Sequence, residues 1–323
     1  MSIRIRKAGI LSSLQDLGRF GYRRYGVPVS GSMDQHSAAI ANLLAGNQRD
    51  EAVLEVTLHG MQAEFLDDSL VAFTGSGSRP FIGDQPIDMN KAVWVPRDSV
   101  IDFRYHPEGC RLYMAIAGGW IADKVMNSRS CYPAAGAGKT VSAGDILYGG
   151  QPSHRAVKIV EQMDTSVISM AGWGYGSQEA DRHTVRVIRG PEWDEFTAAS
   201  HENWMNTQYT VTTSSNRMGY RLSGNALQLK HKKELISTAV MMGTVQVTPD
   251  GNPLILLADA QTTGGYPRIA QVIEVDIPVL GQKRPGDKIS FFMANPDIAE
   301  ALYIKQEEEL ARLEKTIQSK TGT

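Results

Sequence analysis

The residues with the greatest chemical potential lie in one heptapeptide, Gln261-Thr-Thr-Gly-Gly-Tyr-Pro267, which Arg268 follows directly. It combines an amide with the hydroxyls of Thr262, Thr263 and Tyr266, and the arginine could clamp a carboxylate or phosphate. The glycine pair predicts a tight turn between two strands, because glycine adopts positive φ without steric cost. Backbone N–H groups of such a turn can form an anion-binding nest. A hairpin tip with solvated hydroxyls is the alternative interpretation.

A second polar loop covers residues 15–34 and is rich in glycine and serine. It carries Gln15, Asp16 and Arg19, which are hydrogen-bonding or ionisable groups, and structureless loops of this length are usually functional. Asp34 ends the loop and is also a typical helix N-cap. Asp34 could therefore transfer a proton or cap the helix. Arg19 could bind a ligand or lie on the surface.

A third polar loop covers residues 214–224 and contains Arg217 and Arg221. No acidic residue lies near these arginines in the sequence. Because an unpaired buried arginine is costly, they are expected either to face water or to meet an anionic partner.

The elements that must hold these loops are mostly strands. A strand is predicted at 2–6, and a helix begins at Asp34 and ends at Gly46-Asn47. Short apolar runs separated by turn residues then predict an antiparallel barrel or sandwich: 54–58, 70–74, 92–95, 100–105, 111–117 and 146–148. Further strands are predicted at 239–248, 253–260 and 269–277, and a charged amphipathic helix follows Asn295.

Similar Gly-Asp turns near 145 and 287 favour two related β-rich halves, with a linker at 171–177. The predicted domains are 1–175, an N-terminal β-barrel with one short helix; 182–294, a C-terminal barrel; and 295–323, the charged helix.

Composition excludes several function classes. The 323 residues contain 33 basic and 35 acidic side chains, so no electrostatic argument favours nucleic acid or an anionic membrane surface. Neither a signal peptide nor an apolar run of roughly 18 residues is found. The two cysteines fit a reducing compartment, and a cytoplasmic, soluble protein is predicted.

Two chemical motifs are set aside. Residues 133–140 end like a phosphate-binding loop, but Pro133 replaces the first glycine and a strand follows where a helix is needed. The histidines show no pair at helical ligand spacing and the cysteines are not neighbours, so no metal site is predicted.

The chain resembles the biotin-dependent carboxyltransferase-like family, which includes allophanate hydrolase subunit 2 and the C subunit of 5-oxoprolinase. The matching stretches cover residues 1 to about 293 in order. They include Gln15-Asp-Leu-Gly-Arg-x-Gly-Tyr22, Gly26-Val-Pro-x-Ser-Gly-x-Met-Asp34, Ala117-Gly-Gly119, Arg217-Met-Gly-Tyr-Arg-Leu222, Gly243-Thr-Val-Gln246, Gln261-Thr-Thr-Gly-Gly-Tyr-Pro267 and Arg284-Pro-Gly-Asp287.

The resemblance implies a mainly β fold of two tandem cyclophilin-like β-barrel domains plus the C-terminal amphipathic helix. It implies the C subunit of an ATP-dependent 5-oxoprolinase, which opens the lactam of 5-oxoproline to glutamate. The implied partners are the B subunit, which is allophanate hydrolase subunit 1-like, and the A subunit. ATP with Mg is the implied cofactor, with its site left open between this chain and the partner subunits, and no biotin is expected on this chain.

Such a reaction needs donors for the substrate carboxylate and contacts to the lactam. The candidates are Arg217 or Arg268 for the carboxylate and Gln15 and Gln261 for the lactam. Arg19 is a further binding candidate; Thr262, Thr263 and Tyr266 would orient the substrate, and Asp34 or Asp16 would handle a proton. The hypothesis requires loops 15–34, 214–224 and 261–268 to converge.

Two other functions remain open. A carboxyltransferase subunit would accept CO₂ from carboxybiotin and act on urea or a similar amide, with the biotin carrier on another protein. A non-enzymatic regulator is the second, because one branch of the family is associated with inhibition of a sporulation kinase.

Overall fold

The computed structural model describes residues 1–138, 140–176, 184–231 and 235–323. The predicted domain start at 182, Lys139 of the set-aside phosphate loop and the linker's last residue, Ser177, lie outside the described residues. The described chain forms two compact units: unit 1 comprises Met1–Gly18, Asp34–Gln178 and Glu308–Thr323, and unit 2 comprises Arg19–Met33 and Glu179–Glu307. Both units are rich in strands, and the fold is mainly β, as predicted.

Unit 1 contains two six-stranded sheets. Its strands are β1 (Ser2–Ala8), β2 (Leu11–Gln15), β3 (Val53–Thr57), β4 (Met61–Phe65), β5 (Ser69–Gly75), β6 (Ser78–Ile82), β7 (Gln85–Pro86), β8 (Ala92–Val95), β9 (Val100–Tyr105), β10 (Arg111–Ile116), β11 (Ile146–Tyr148) and β12 (Ser169–Met170). The strand orders are β11-β1-β4-β9-β6-β7 and β12-β8-β5-β10-β3-β2. The helices are α1 (Gln35–Leu44) and α2 (His154–Val160).

The two sheets pack face to face. Strand β10 is buried on both of its faces, which explains why all its residues are buried. Leu112 and Met114 point into the core between the sheets, where Phe73 and Phe103 meet edge to face at 6.0 Å. Tyr113 lies on the opposite face, in a second apolar cluster that includes α1. Successive side chains of a strand point to opposite faces, so a strand covered on both sides reads as a continuous apolar run.

Unit 2 is a closed barrel with the order β13-β20-β17-β18-β15-β14-β21. Its strands are β13 (Thr184–Arg189), β14 (Tyr209–Val211), β15 (Gly219–Ser223), β17 (Thr244–Val247), β18 (Pro253–Leu256), β20 (Arg268–Val272) and β21 (Lys288–Met293). A small two-stranded sheet pairs β16 (Thr238–Ala239) with β19 (Thr263–Gly264). The helices are α3 (Ala198–Asn206) and α4 (Ile277–Gly281). Trp204 of α3 stacks on Phe291 at 4.0 Å within the barrel core.

Segment Arg19–Met33 groups with unit 2, although the predicted N-terminal domain of 1–175 included it. Hydrogen bonds explain this difference: the Ser30 backbone N–H donates to the Ala258 carbonyl at 2.9 Å, and Met33 is fully buried in the barrel core. The unit boundaries therefore do not follow a single cut in the sequence.

The long helix α5 (Pro296–Thr321) begins as predicted, because the Asn295 side chain accepts a hydrogen bond from the Ile298 backbone N–H at 2.8 Å. Its residues from Glu308 onward belong to unit 1. There, Leu310 and Ile317 are buried in the cluster around α1. The predicted amphipathic face thus packs on the chain itself over these turns.

Three predicted strands are shorter than expected: 239–248 is divided between β16 and β17, 253–260 ends at Leu256, and 269–277 ends early. The segment 269–277 forms β20 only as far as Val272, after which a 3-10 turn (Glu274–Asp276) leads into α4. The Asp276 carboxylate accepts hydrogen bonds from the Arg186 backbone and side chain, which fixes this turn. In the described ranges, no helix combines the length and hydropathy needed to cross a bilayer.

Candidate functional site

Two of the three polar loops meet on unit 2. The Ser30 hydroxyl donates to Asp259 at 2.6 Å, and Arg217 Nη2 donates to the Gly31 carbonyl at 2.6 Å. The Arg23 side chain donates to the Val240 carbonyl. Segment Arg19–Met33 is therefore tied to the loop 214–224 and to Val240 and Asp259, which lie outside the loop 261–268, so the convergence of all three loops stays a prediction.

Arg217 forms an ion pair that the sequence did not reveal. Its Nε lies 2.8 Å from Oδ2 of Asp259, which is 42 positions away, and the two side chains are 11% and 9% exposed. Of the two expectations for Arg217, water or an anionic partner, the structure shows an anionic partner within the chain itself, and a role of Arg217 in binding a substrate stays a prediction. Arg221 is exposed, as predicted.

The heptapeptide 261–267 does not form the predicted tight turn. Neither Gly264 nor Gly265 has a positive φ, and Thr263–Gly264 is an extended strand paired with Thr238–Ala239. Strands β18 and β20 do not pair with each other, since β17 lies between them. The predicted nest at the glycine pair is likewise not formed by this extended backbone.

The glycines are required instead because neighbouring residues lie close to the positions that their Cβ atoms would occupy. A Cβ at Gly264 would lie 2.7 Å from Nε2 of Gln246, and one at Gly265 would lie 3.0 Å from the Leu235 carbonyl oxygen. The first distance is shorter than real Cβ contacts and the second is tighter than most of them, so the neighbour would have to shift in each case. Gln246 is fully buried behind this strand, and its Nε2 donates to the Tyr266 carbonyl at 3.2 Å.

Arg268 is fixed by Glu192 through a bidentate ion pair. Its Nε donates to Glu192 Oε2 at 2.8 Å, its Nη2 donates to Oε1 at 2.6 Å, and its Nη1 donates to the Ala239 carbonyl at 3.2 Å. Hydrogen bonding to the Glu192 carboxylate raises the pKa of Arg268 above its ordinary value. The guanidinium is therefore charged at every accessible pH, and three of its five N–H groups are used by these bonds.

A cavity of about 280 Å³ lies next to this ion pair. Its polar lining includes Glu192, Thr238, Tyr266 and Arg268, and Gly264 forms part of the wall. Tyr266 is 44% exposed, and the neighbouring Gln261 and Thr263 are also exposed, whereas Thr262 is buried. The heptapeptide thus presents polar side chains to solvent beside a small, charged cavity.

Three residues of this site were missed as functional candidates: Glu192, Gln246 and Asp259. Gln246 was only part of a family motif, and Asp259 is an acid at the end of the apolar run 253–260. A polar residue inside or just after an otherwise apolar strand is the signal that could have found Gln246 and Asp259, because buried polar groups require partners. Glu192 carries no such signal.

In unit 1, Asp16 anchors a loop. Its Oδ1 accepts hydrogen bonds from the Gly18 N–H at 2.8 Å and from the hydroxyls of Ser128 and Ser130 at 2.7 and 2.5 Å. Its Oδ2 accepts from the Arg129 N–H at 2.6 Å. These contacts give the carboxylate a structural role.

Replacing Asp16 with alanine is expected to lower the free energy of unfolding by about 3 kcal/mol, because the substitution leaves several buried donors unsatisfied. Urea denaturation measures this change. The exposed Asp123 provides the control, since Asp123→Ala should alter stability by no more than about 0.5 kcal/mol. Equal effects of the two substitutions would contradict the anchoring role of Asp16.

Gln15 is also buried in unit 1. Its Nε2 donates to the Ser13 hydroxyl at 2.9 Å and to the Cys131 carbonyl at 3.2 Å. Its Oε1 has no hydrogen-bond partner within the described residues, so one acceptor remains available. Its role in binding a substrate stays a prediction.

Asp34 caps α1, as predicted. Its carboxylate accepts from the Ser37 N–H at 2.8 Å and from the Ser37 hydroxyl at 2.7 Å. The Asp34 N–H donates to the Tyr113 hydroxyl, which donates to Glu55 at 2.9 Å. Burial, with the nearby Glu55 charge, raises the pKa of Tyr113 well above its usual value. Capping accounts for Asp34, and its catalytic role stays a prediction.

Arg19 belongs to unit 2, where its backbone N–H donates to the Val29 carbonyl at 2.7 Å. Its side chain is only 2% exposed. The structure therefore does not present Arg19 to solvent, and its proposed contact with a ligand stays a prediction.

The family model described as carboxyltransferase domain, subdomain A and B, matches residues 25–293. This chain belongs to the carboxyltransferase domain family. The match covers the barrel and most of unit 1, and it agrees with the resemblance found from the motifs.

Two relatives of this carboxyltransferase-domain protein match over nearly their whole length. The C subunit of 5-oxoprolinase from Escherichia coli K12 is 33% identical over 311 residues, covering 95% of each chain. The C subunit of 5-oxoprolinase from Haemophilus influenzae is 31% identical and covers 96% of each chain.

Among solved structures, the urea carboxylase of Kluyveromyces lactis is similar, with a TM-score of 0.85 and 27% identity. The alignment covers 97% of this chain but 29% of the urea carboxylase. The two-unit architecture of the present chain thus occurs in that larger protein.

Proposed function

We propose that this chain is the C subunit of an ATP-dependent 5-oxoprolinase, which converts 5-oxo-L-proline to L-glutamate. The observation that carries the proposal is the end-to-end match with the corresponding E. coli protein, which covers 95% of both chains. The same comparison supports the existence of partner chains, because the E. coli relative is named as a subunit. We assign these to an allophanate hydrolase subunit 1-like protein, the B subunit, and to the A subunit.

The chemical problem is the stability of the lactam. Amide resonance must be broken before water can attack the ring carbonyl, and phosphorylation of the amide oxygen by ATP makes that carbon electrophilic. ADP leaves in that step. One water then adds to this carbon and the ring C–N bond breaks, which leaves the acyl phosphate of glutamate. A second water hydrolyses it to glutamate and phosphate. The contribution of this chain is to bind and orient the small cyclic acid.

The geometry favours Arg268 over Arg217 as the partner of the substrate carboxylate. Arg217 is 11% exposed and is bonded to Asp259 and Gly31, whereas Arg268 lines the cavity and retains two N–H groups beyond its bonds to Glu192 and Ala239. Those two N–H groups can bind a carboxylate through charge-assisted hydrogen bonds.

The exposed polar side chains beside the cavity bind the lactam. Tyr266 and Thr263 offer hydroxyls, and the Gln261 amide can donate to the lactam C=O and accept from its N–H. Buried Gln246 holds the Tyr266 carbonyl from behind, which keeps this strand in place.

The size of the cavity favours a small ligand. Its volume of about 280 Å³ lies below the range of roughly 300–1,000 Å³ typical of drug-sized ligands, so it suits a small cyclic acid. Among the described residues, no group of three or more His, Cys, Asp or Glu side chains could hold a metal ion. We therefore assign ATP and Mg to sites completed by the partner subunits.

Reconstitution tests the proposal. The chain is purified with the A and B subunits from the same organism, and glutamate and ADP are measured with 5-oxoproline, ATP and Mg. Glutamate release is expected only when all three proteins are present, and Gln261→Ala is expected to reduce it. Glutamate formation that is unchanged when this chain is omitted would overturn the assignment.

The similarity to urea carboxylase favours a second candidate, carboxyl transfer from carboxybiotin to a small amide. The same preparation distinguishes the two functions. ATP-dependent 5-oxoproline opening that is insensitive to avidin supports the oxoprolinase, whereas avidin-sensitive carboxylation of urea by a mixture with a biotin carboxylase supports carboxyl transfer.

A further inference from the structure

The cavity beside Arg268 is lined by apolar as well as polar side chains. Leu235 and Ile236 line it together with the polar groups of Glu192, Tyr266 and Arg268. Ile236 is 88% exposed, the highest value for a large apolar side chain in the described ranges. We call Leu235 and Ile236 the apolar wall.

Backbone hydrogen bonds fix the segment that carries the apolar wall. Thr238–Ala239, which follows the wall directly, pairs as β16 with β19 of the heptapeptide. The Ala239 carbonyl accepts from Arg268 Nη1 at 3.2 Å. The Val240 N–H donates to the Thr262 carbonyl at 3.0 Å. The arginine that would bind the substrate carboxylate therefore also holds the strand next to the wall.

Gly265 lets this segment lie close to the heptapeptide. A Cβ at Gly265 would lie 3.0 Å from the Leu235 carbonyl oxygen and 3.4 Å from the Ser237 hydroxyl oxygen. The first distance is tighter than nine in ten real Cβ contacts, so a larger residue would push the segment away. The missing side chain at position 265 thus determines how closely the wall approaches the heptapeptide.

The ion pair by itself does not distinguish one small acid from another. Glu192 and Arg268 both line the cavity, and their charges cancel. The two remaining N–H groups of Arg268 can bind any small carboxylate. Selection among small acids must therefore come from the side chains that contact the rest of the ligand, and Leu235 and Ile236 supply apolar surface for that contact.

We propose that Ile236, supported by Leu235, is a specificity-determining residue that selects small cyclic acids with a hydrocarbon edge. The two ring methylene groups of 5-oxo-L-proline form such an edge, and they contact Ile236 while the carboxylate binds Arg268. This contact removes apolar surface of the ligand and of Ile236 from water. Urea has no C–H group and gains nothing from the wall. The proposal rests on the proposed function, which it deepens by naming the class of ligand.

Binding to the full chain without partner subunits tests the wall separately from catalysis. The probes are 5-oxo-L-proline and its cyclic urea analogue, in which an N–H replaces the ring methylene next to the carbonyl. Kd is measured by ligand-observed NMR titration. The wild-type chain is expected to bind 5-oxo-L-proline about 4-fold more tightly than the analogue, the effect of one buried methylene group.

Substitution of Ile236 should remove this preference. Ile236→Ser is expected to raise the Kd for 5-oxo-L-proline about 10-fold, as for the loss of roughly half the burial of an isoleucine side chain. The same variant should bind the two probes with equal affinity, because no apolar side chain at position 236 then contacts the ring. Ile236→Val keeps a branched apolar side chain and should retain most of the affinity and the preference.

Ile298→Ser is the matched control. Ile298 belongs to unit 2, is 48% exposed and does not line the cavity, so this variant should bind both probes like the wild type. Because Ile236 is exposed, Ile236→Ser should keep the circular dichroism spectrum and the urea midpoint of the wild type. An equal loss of affinity in Ile298→Ser and Ile236→Ser would contradict a specific role of the wall.

The outcomes separate the two proposals. Equal affinity of Ile236→Ser and the wild type for 5-oxo-L-proline would overturn the role of Ile236, and so would undetectable binding to the wild-type chain. In both cases glutamate formation by the three-protein mixture decides the oxoprolinase assignment independently. Binding that depends on Ile236, without glutamate formation in that mixture, would support the wall and overturn the assignment.

Discussion

Arg217→Met is expected to lower the free energy of unfolding by about 3 to 5 kcal/mol, because it leaves the Asp259 carboxylate buried without its countercharge. Asp259 is 9% exposed, and its Oδ2 accepts from Arg217 Nε at 2.8 Å. The same substitution removes the hydrogen bond to the Gly31 carbonyl, so segment Arg19–Met33 loses one of its ties to the barrel. Urea denaturation gives the stability change.

The same strand region supplies a matched control. Arg221 is exposed, so Arg221→Met should change the stability by no more than about 0.5 kcal/mol. Pairing Arg217→Met with Asp259→Leu should recover part of the loss, since the uncompensated charge is then absent. Similar stability losses for Arg217→Met and Arg221→Met would refute the importance of this ion pair.

Arg268→Gln is expected to raise the KM for 5-oxoproline of the reconstituted complex by about 10- to 100-fold, the effect of losing a charged hydrogen-bond partner of the substrate carboxylate. Arg268→Lys should restore little of this loss, because an ammonium group cannot replace the planar fork. Steady-state kinetics at saturating ATP measure both variants.

Glu192→Gln distinguishes binding from a merely structural role. This substitution removes the negative charge of Glu192 and therefore its ion pair with Arg268. The Arg268 guanidinium remains in the cavity wall. If Arg268 binds the substrate, Glu192→Gln should leave KM unchanged or lower it, although both variants lose stability. An equal rise in KM for Glu192→Gln and Arg268→Gln would show that only the ion pair matters.

The sequence predicted which residues belong to the candidate site better than it predicted how those residues are arranged. Arg268, Tyr266 and Gln261 were identified because polar groups cluster between two apolar runs. Their backbone conformation was not predicted. A glycine is needed at position 264 because Gln246 lies close to it, and not because the backbone has a left-handed φ. A glycine pair in sequence is compatible with either cause.

The sequence by itself determined the local elements. The Asp34 cap and the apolar spacing after it define α1, Asn295 begins α5, and runs such as 111–117 become strands, because these signals act within a few residues. Only the tertiary structure decided that Arg217 pairs with Asp259 and Arg268 with Glu192, and that residues 19–33 join the barrel unit. Those pairings join positions 42 and 76 residues apart along the chain, and strand order and packing, rather than local sequence, bring them into contact.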